Sequence, residues 1–486
     1  MEAHVSRRKI RRTDPPRQPP TGGALSDDRG RTMYIARVRL ENVRGFFDDR
    51  NVDLDLRRPD GSYAGWTVIA GQNGSGKTSL LRAAALAASG PAVARSLVPD
   101  FESWITTGRD AGTADVELVH DQAFDRTAEA GEQLPSAPFW VGIRWTAPAP
   151  DSGGRRGPQP SLHRHDIAST PKEVPRQGPW QDNPTGWFCA AYGPFRRLAG
   201  GSGDSKRIMR SPGPAARLGT LFHEDASLAE GVSWLIEQHL RSLEDRPGAS
   251  DLKHAAIAIL RDGLLPDGYS VQTVDSDGLW VENAGRRFPL RDMSDGYRTV
   301  AALVVDMLKQ IHEAYGELTT DVDGSTPRIT APGVVIIDEV DAHLHVSWQK
   351  RIGWWLKRHF PNIQFIVTTH SPYICQSADQ GGLIRLPRAN QLEPPMVVDQ
   401  DLYERIIYGS GDDAVLSDLF GLDTPYSDDA RELRRELVEL EFTVMTGKAT
   451  HDQQRRYAHL ADVLTSSPVA RTEEVAARLN DRNPPS

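Results

Sequence analysis

The stretch WTVIAGQNGSGKTSLLRAAALAASG, residues Trp66–Gly90, decides the fold. Its first five residues read as a buried strand. A glycine-rich turn follows, then an Ala/Leu run at helical spacing. Gly71–Thr78, GQNGSGKT, fills the pattern G-x-x-x-x-G-K-[ST] at every fixed position. The pattern has a mechanism. Gly71, Gly74 and Gly76, with Asn73 and Ser75 between them, let backbone N–H groups turn inward and cradle phosphates. Lys77 reaches the β- and γ-phosphates, the Thr78 hydroxyl is a ligand for Mg²⁺, and Ser79 lies in the first helical turn, where the helix field favours anions. A chance match in a chain of this length has odds of about one or two per hundred, and the flanking strand and helix lower them. The stretch therefore reads as an ATP site rather than a solvated turn.

Working outward, Val334–Glu339, VVIIDE, is an apolar strand that ends in two carboxylates. Asp338 is placed to hold Mg²⁺. Glu339 is placed to polarise an attacking water as general base. Further strands read at 34–40, 52–56, 115–120, 139–146, 188–193 and 363–370, with helices over 217–265, after Met293 and within 347–360. Strands alternating with helices specify an α/β fold with a parallel sheet.

Composition narrows the classes. Hydrophobic residues are 38% and charged residues 25% of 486, and the net charge is −9. That balance argues against a uniformly basic nucleic-acid binder and leaves a local basic patch open. No apolar run approaches the ~18 residues that span a bilayer, so no membrane association is expected. Two cysteines, Cys189 and Cys375, exclude a disulfide scaffold or a four-cysteine zinc site and suit a reducing cytoplasm. Residues 1–32 read as a disordered tail of net charge +4. The expected organisation is an ATPase domain over 33–398, with a flexible Pro/Gly-rich insertion at 147–186 and a helical lobe at 215–266. A helical C-terminal region at 399–486 follows. His163 and His165 read as loop residues with no cysteine or carboxylate cluster at ligand spacing, and His343 and His345, which follow Asp341, read as shaping that turn rather than holding a metal.

Four more motifs carry a resemblance: ENVRGF (41–46), MSDGYRT (293–299), DEVDAHLH (338–345) and VTTHSP (367–372). In this order they resemble ABC-type ATPases of the SMC, RecF and OLD branch, over roughly residues 33–390. The resemblance implies a P-loop ABC-type nucleotide-binding domain with a mixed sheet. It makes Ser294 and Gly296 signature residues, Asp341 the D-loop acid, His370 a γ-phosphate sensor and Arg44 a basic-loop residue that couples to nucleotide. It also implies a homodimer, or a higher oligomer, in which Lys77, Thr78, Asp338, Glu339 and His370 of one copy face Ser294 and Gly296 of the other across ATP.

There are departures. The Q-loop glutamine is missing from YGPFRR (192–197), which leaves Tyr192 or Arg196 as substitutes, and Asp295 stands where many relatives have glycine. No CxxC motif or heptad run supports a long-armed machine. The residues after Glu339 read as helices rather than as the TOPRIM nuclease of OLD proteins, with Asp412 and Asp413 at a helix N-terminus. AAYGPFRRLAGG, TLFHEDASL and the YGSGDDAVLSDLFGLD tail are similar to small defence-type ATPases of the Septu anti-phage kind. Those work with a separate HNH-type nuclease, which makes such a nuclease the expected partner, with DNA or RNA as a further ligand. The alternatives are a transporter-type ABC subunit and a stand-alone RecF-like repair ATPase.

Overall fold

Apolar alternation builds two sheets, and one helix separates them. The computed structural model describes residues 33–58, 60–127, 134–148, 160–196, 202–210, 212–422 and 424–464. The expected tail at 1–32, residues 149–159 of the insertion and the terminal stretch 465–486 lie outside the described residues. In chain order the first elements are β1 (Tyr34–Glu41), β2 (Val52–Asp55), β3 (Trp66–Ala70), α1 (Lys77–Leu97), β4 (Ala111–Val119), β5 (Phe139–Thr146), β6 (Ser161–Arg164), α2 (Val174–Gln177) and β7 (Cys189–Tyr192). A helical stretch follows: α3 (Gly203–Arg210), α4 (Pro214–Phe222), α5 (Ala229–Leu243) and α6 (Ala249–Arg261). Next come a small sheet of β8 (Ser270–Asp275), β9 (Gly278–Asn283) and β10 (Arg286–Pro289), the long helix α7 (Asp295–Tyr315), and a hairpin of β11 (Thr320–Asp323) and β12 (Thr326–Ile329).

The core resumes with β13 (Gly333–Ile337), α8 (Val346–Gln349), α9 (Ile352–His359), β14 (Ile363–Thr369), α10 (Pro372–Cys375), β15 (Leu383–Arg385) and β16 (Met396–Val397). The chain ends in α11 (Gln400–Tyr408), α12 (Gly411–Leu416), α13 (Asp428–Met445) and α14 (His451–Val463). The larger sheet has the order β16-β15-β3-β14-β13-β7, parallel except for β16. The other, β2-β1-β4-β5-β6, is antiparallel. The larger sheet is therefore the expected mixed sheet, and the antiparallel sheet is a second one beside it.

The two-residue side-chain period of the parallel strands assigns their faces. Val334, Ile336, Ile69 and Ile366 join α1 and the antiparallel sheet in one core. Val335, Ile337, Val68 and Val367 join α5, α7 and α9 in the other. All five residues of β13 are buried, as a central parallel strand requires. The layers are therefore antiparallel sheet, α1, parallel sheet and helices.

The region 147–186 contains ordered structure. β6 pairs with β5 from Ile143↔Arg164 to Thr146↔Ser161. Trp180 packs onto α1 where that helix is broken at Gly90, which has φ 85°. A Cβ on Gly90 would lie 2.6 Å from the Trp180 ring, and the Trp180 indole N–H donates to the Ala87 carbonyl at 3.2 Å. Glycine and tryptophan thus specify each other across 90 residues, a pairing that local periodicity does not reveal. The C-terminal region also divides differently. Ile406, Ala414, Leu419 and Phe420 belong to the main core. Within α13 and α14, by contrast, only Arg434 and Leu460 are buried, and Phe442 and Met445 are 70% and 83% exposed.

One buried amide ties the two sheets. Gln364 on β14 accepts from the Ile35 N–H at 2.8 Å and donates to the Ile35 carbonyl at 3.1 Å, beside the irregularity between Ile35 and Arg37. Replacing Gln364 with Leu strands both backbone groups in an apolar layer. It should cost about 2–4 kcal/mol in denaturant unfolding. Unchanged stability would show that the amide does not carry this junction.

Candidate nucleotide site

The parallel strands end together, and their C-terminal ends carry the site, as expected for open α/β sheets. β3 runs into the loop Gly71–Gly76, and α1 starts at Lys77. The glycines are needed sterically. Gly74 and Gly76 have φ 77° and 102°, and a Cβ on Gly76 would meet the Phe46 ring at 2.7 Å. A Cβ on Gly71 would meet the Leu386 carbonyl at 2.8 Å. Asn73 and Gly74 are exposed at the loop's crest, whereas Ser75 is buried beneath it. The Lys77 ammonium donates to the carbonyls of Gly71 and Gln72 at 2.8 and 3.1 Å. Burial holds its pKa below the ordinary lysine value, while Asp338, Glu339 and Asp341 pull the other way.

The Thr78 hydroxyl donates to the Asp338 carboxylate at 2.7 Å, joining the start of α1 to the end of β13. This pair of hard oxygen donors is the kind Mg²⁺ takes, so the residues fit that ion. Two threonines in the VTTH run hold the acids. Thr368 donates to Asp338 and accepts the Glu339 N–H at 2.8 Å, and Thr369 donates to Asp341. Glu339 has φ 47°, a left-handed conformation uncommon for a residue with a Cβ. His370 follows Thr369 and is half-buried. Its pKa is lowered first by burial and then by the Lys77 charge.

Arg44 approaches α1 from the loop after β1. Its guanidinium lies 4.5 Å from the Trp104 ring centroid and donates to the Ser79 hydroxyl at 3.3 Å. Trp104 in turn stacks on Trp145 at 5.0 Å. Ser294 and Asp295 are exposed at the N-terminus of α7. Gly296 sits against the turn after Asp341, where a Cβ would lie 2.5 Å from the His343 carbonyl.

The two proposed substitutes for the Q-loop glutamine part ways. The Tyr192 hydroxyl donates to Asp306 on α7 at 3.0 Å inside the core, away from the phosphate loop. Arg196 lies behind Glu339, with its guanidinium on backbone carbonyls. Asp412 and Asp413 are in the first turn of α12, but the N-cap is Ser410, which forms a reciprocal capping box with Asp413.

Sequence reading missed Arg50. It is buried and donates to the Ser75 carbonyl at 3.1 Å, to Gln391 at 2.8 Å and to the Arg388 carbonyl, so it fastens the phosphate loop to the segment after β15. The Gln72 amide donates to the Phe420 carbonyl at 2.7 Å, linking the same loop to the C-terminal segment. Neither contact has a local signature. Thr368 and Thr369 do, because both precede the histidine at the end of an apolar strand.

The strand–loop–helix with an acidic strand end beside it defines a P-loop nucleotide-binding fold. Two AAA-domain family models match the chain: "AAA domain" over residues 37–124, and "AAA domain, putative AbiEii toxin, Type IV TA system" over 238–376. Among named proteins, it is similar to the Septu protein PtuA of Bacillus mycoides, at 25% identity over 354 residues, 72% of this chain and 40% of the relative. A 103-residue stretch is 37% identical to the "Retron Ec83 probable ATPase" of Escherichia coli, covering 21% of this chain and 18% of that protein. The chain thus spans less than half the length of these relatives. Among solved structures, an SMC head domain bound to the C-terminal domain of ScpA from Pyrococcus furiosus aligns at 17% identity, covering 75% of this chain and 96% of that one, with a TM-score of 0.42.

The His370 shift has a testable sign. Its folded pKa should lie below the ordinary value of about 6.5. The neutral ring's contribution to stability is then complete above about pH 6.5 and is lost as pH falls through the lowered pKa. NMR titration of the ring protons, assigned with His370→Gln, should show the depressed midpoint. A midpoint above 6.5 would mean that a carboxylate, not burial, dominates the ring.

Proposed function

We propose that this chain is a Mg²⁺-dependent ATPase that dimerises around ATP and works with a separate HNH-type nuclease in anti-phage defence. The observation that supports the reading most is the Thr78–Asp338 hydrogen bond, which joins two oxygen donors of the kind Mg²⁺ takes, next in sequence to Lys77 and Glu339. Lys77, freed from the Gly71 and Gln72 carbonyls, takes the β- and γ-phosphates, and the loop amides bind the remaining oxygens. Thr78 and Asp338 hold Mg²⁺, which neutralises phosphate charge. Glu339 accepts a proton from the attacking water. His370, neutral at pH 7, donates one hydrogen bond to the γ-phosphate. Arg44 senses the nucleotide through its place beside Ser79. Asp341, held by Thr369, shapes the D-loop at the interface.

Exposed Ser294 and the partly buried Gly296 at the start of α7 supply a second anion-binding end, which reaches the ATP of a partner copy. Similarity to the Septu protein PtuA supports the defence setting, and the nuclease partner is what the resemblance of the sequence to Septu-type ATPases implies. DNA or RNA is a further ligand of this reading. Both cysteines are free and buried, which suits the cytoplasm. Among the described residues no helix is long and apolar enough to cross a membrane, and nothing in the site points to a permease.

Glu339→Gln should bind Mg-ATP and trap a dimer or a higher oligomer, seen as a shift in native mass. A Glu339→Gln protein that keeps its ATP-free mass at saturating Mg-ATP would contradict the sandwich. Because Ile406, Ala414, Leu419 and Phe420 anchor the preceding segment in the core, the partner surface is assigned to the exposed α13–α14 hairpin. Deleting 425–486 should preserve ATP binding and abolish nuclease capture. Retained capture would move the partner surface elsewhere.

A further inference from the structure

Arg196 occupies an unusual position for a cation. It is only 3% exposed, and its guanidinium meets backbone carbonyls rather than a carboxylate. One terminal nitrogen donates to the carbonyls of Gly193 and Asp338, both at 3.0 Å. The other donates to Glu339 at 3.0 Å and lies 3.5 Å from the carbonyls of Val340 and Ala342. Burial pushes its pKa down to about 10, with Asp341, Asp338 and Glu339 opposing the shift, so the group remains charged at neutral pH.

We infer that Arg196 is a positioning residue for the ATPase reaction: it fixes the peptide planes of residues 338–342 and thereby aims the Glu339 carboxylate. The inference rests on the proposed ATPase reading and adds a residue to it. Three observations support it together. First, Glu339 is held at φ 47°, a conformation that needs its surroundings to enforce it. Its N–H is fixed by Thr368 and its carbonyl by Arg196, so both sides of the residue are pinned.

Second, the planar fork matches a row of carbonyls in a way that a lysine point charge does not. Third, the segment that delivers Arg196 is itself sterically fixed. The Asp338 N–H donates to the Tyr192 carbonyl at 2.8 Å, so β7 is locked to the strand carrying the acids. Gly193 then turns the chain where a Cβ would lie 2.3 Å from the Thr220 carbonyl. Arg196 therefore reaches the acidic turn through its backbone carbonyls and not through its carboxylates. A side chain acting from there sets geometry without touching substrate.

Steady-state ATPase and ATP-affinity measurements on the full chain separate this role from a general structural one. Arg196→Gln should lower kcat on the order of 10²-fold, the scale of an ångström's misplacement, while the Kd for Mg-ATP stays within about threefold because the phosphate loop is untouched. Arg196→Lys, which keeps the charge but not the fork, should recover part of kcat and serves if the glutamine variant does not fold. Adding Arg196→Gln to Glu339→Gln should lower kcat no further, since the group being aimed is already gone. The inference is overturned if Arg196→Gln or Arg196→Lys retains full kcat. It is also overturned if kcat and ATP affinity fall together, which would mark a purely structural role. Failure of the underlying ATPase reading looks different: Glu339→Gln alone would then turn over ATP like the wild type.

Discussion

The hydrogen bond from Thr78 to Asp338 is the constraint around which the molecule is arranged. It forms only if β3 and β13 end at the same height in the sheet, and β14 between them sets that height. Thr67 pairs with Ile366, and Ile336 with the same Ile366, so one strand registers both partners. A one-residue slip would turn Val335 and Ile337 to the wrong face and bury a carboxylate without partners. The hydrophobic pattern and the polar site thus enforce the same register.

Around that junction the acids are held by short, local donors. Thr368 and Thr369 each serve one carboxylate, and Arg196 covers the carbonyls behind them. Three acidic residues between 338 and 341 would repel one another if left free. Here the Lys77 charge offsets them from the phosphate loop, and Arg196 does so from the backbone of the turn itself. The same loop is fastened outward through Arg50 and through the bond from Gln72 to Phe420. Hydrogen bonds thus join the phosphate loop to the segment that precedes the exposed α13–α14 hairpin.

What the sequence made legible was the chemistry encoded within a few consecutive residues. GQNGSGKT, VVIIDE and VTTHSP each combine a strand end with the polar groups placed there, so elements and site residues were readable together. The helix after Met293 was legible too, from its apolar periodicity. What escaped were pairings between distant positions: Gly90 with Trp180, Gln364 with Ile35, and Arg50 with the segment after β15. Each couples one unremarkable residue to backbone far away, and no periodicity marks it. The stretch 147–186 reads as aperiodic because its proline and glycine content masks β6 and the Trp180 anchor. The C-terminal region reads as uniformly helical because α11 and α12 have the same local pattern as α13 and α14. Only packing shows that the first pair belongs to the core.

The central claim is that the loop Gly71–Thr78 is where this chain binds ATP. Calorimetric titration of Mg-ATP into the wild type and into Lys77→Ala tests it most directly. The account predicts one ATP per wild-type chain and no measurable binding to Lys77→Ala, with both proteins equally folded. Equal binding by a folded Lys77→Ala protein would contradict it.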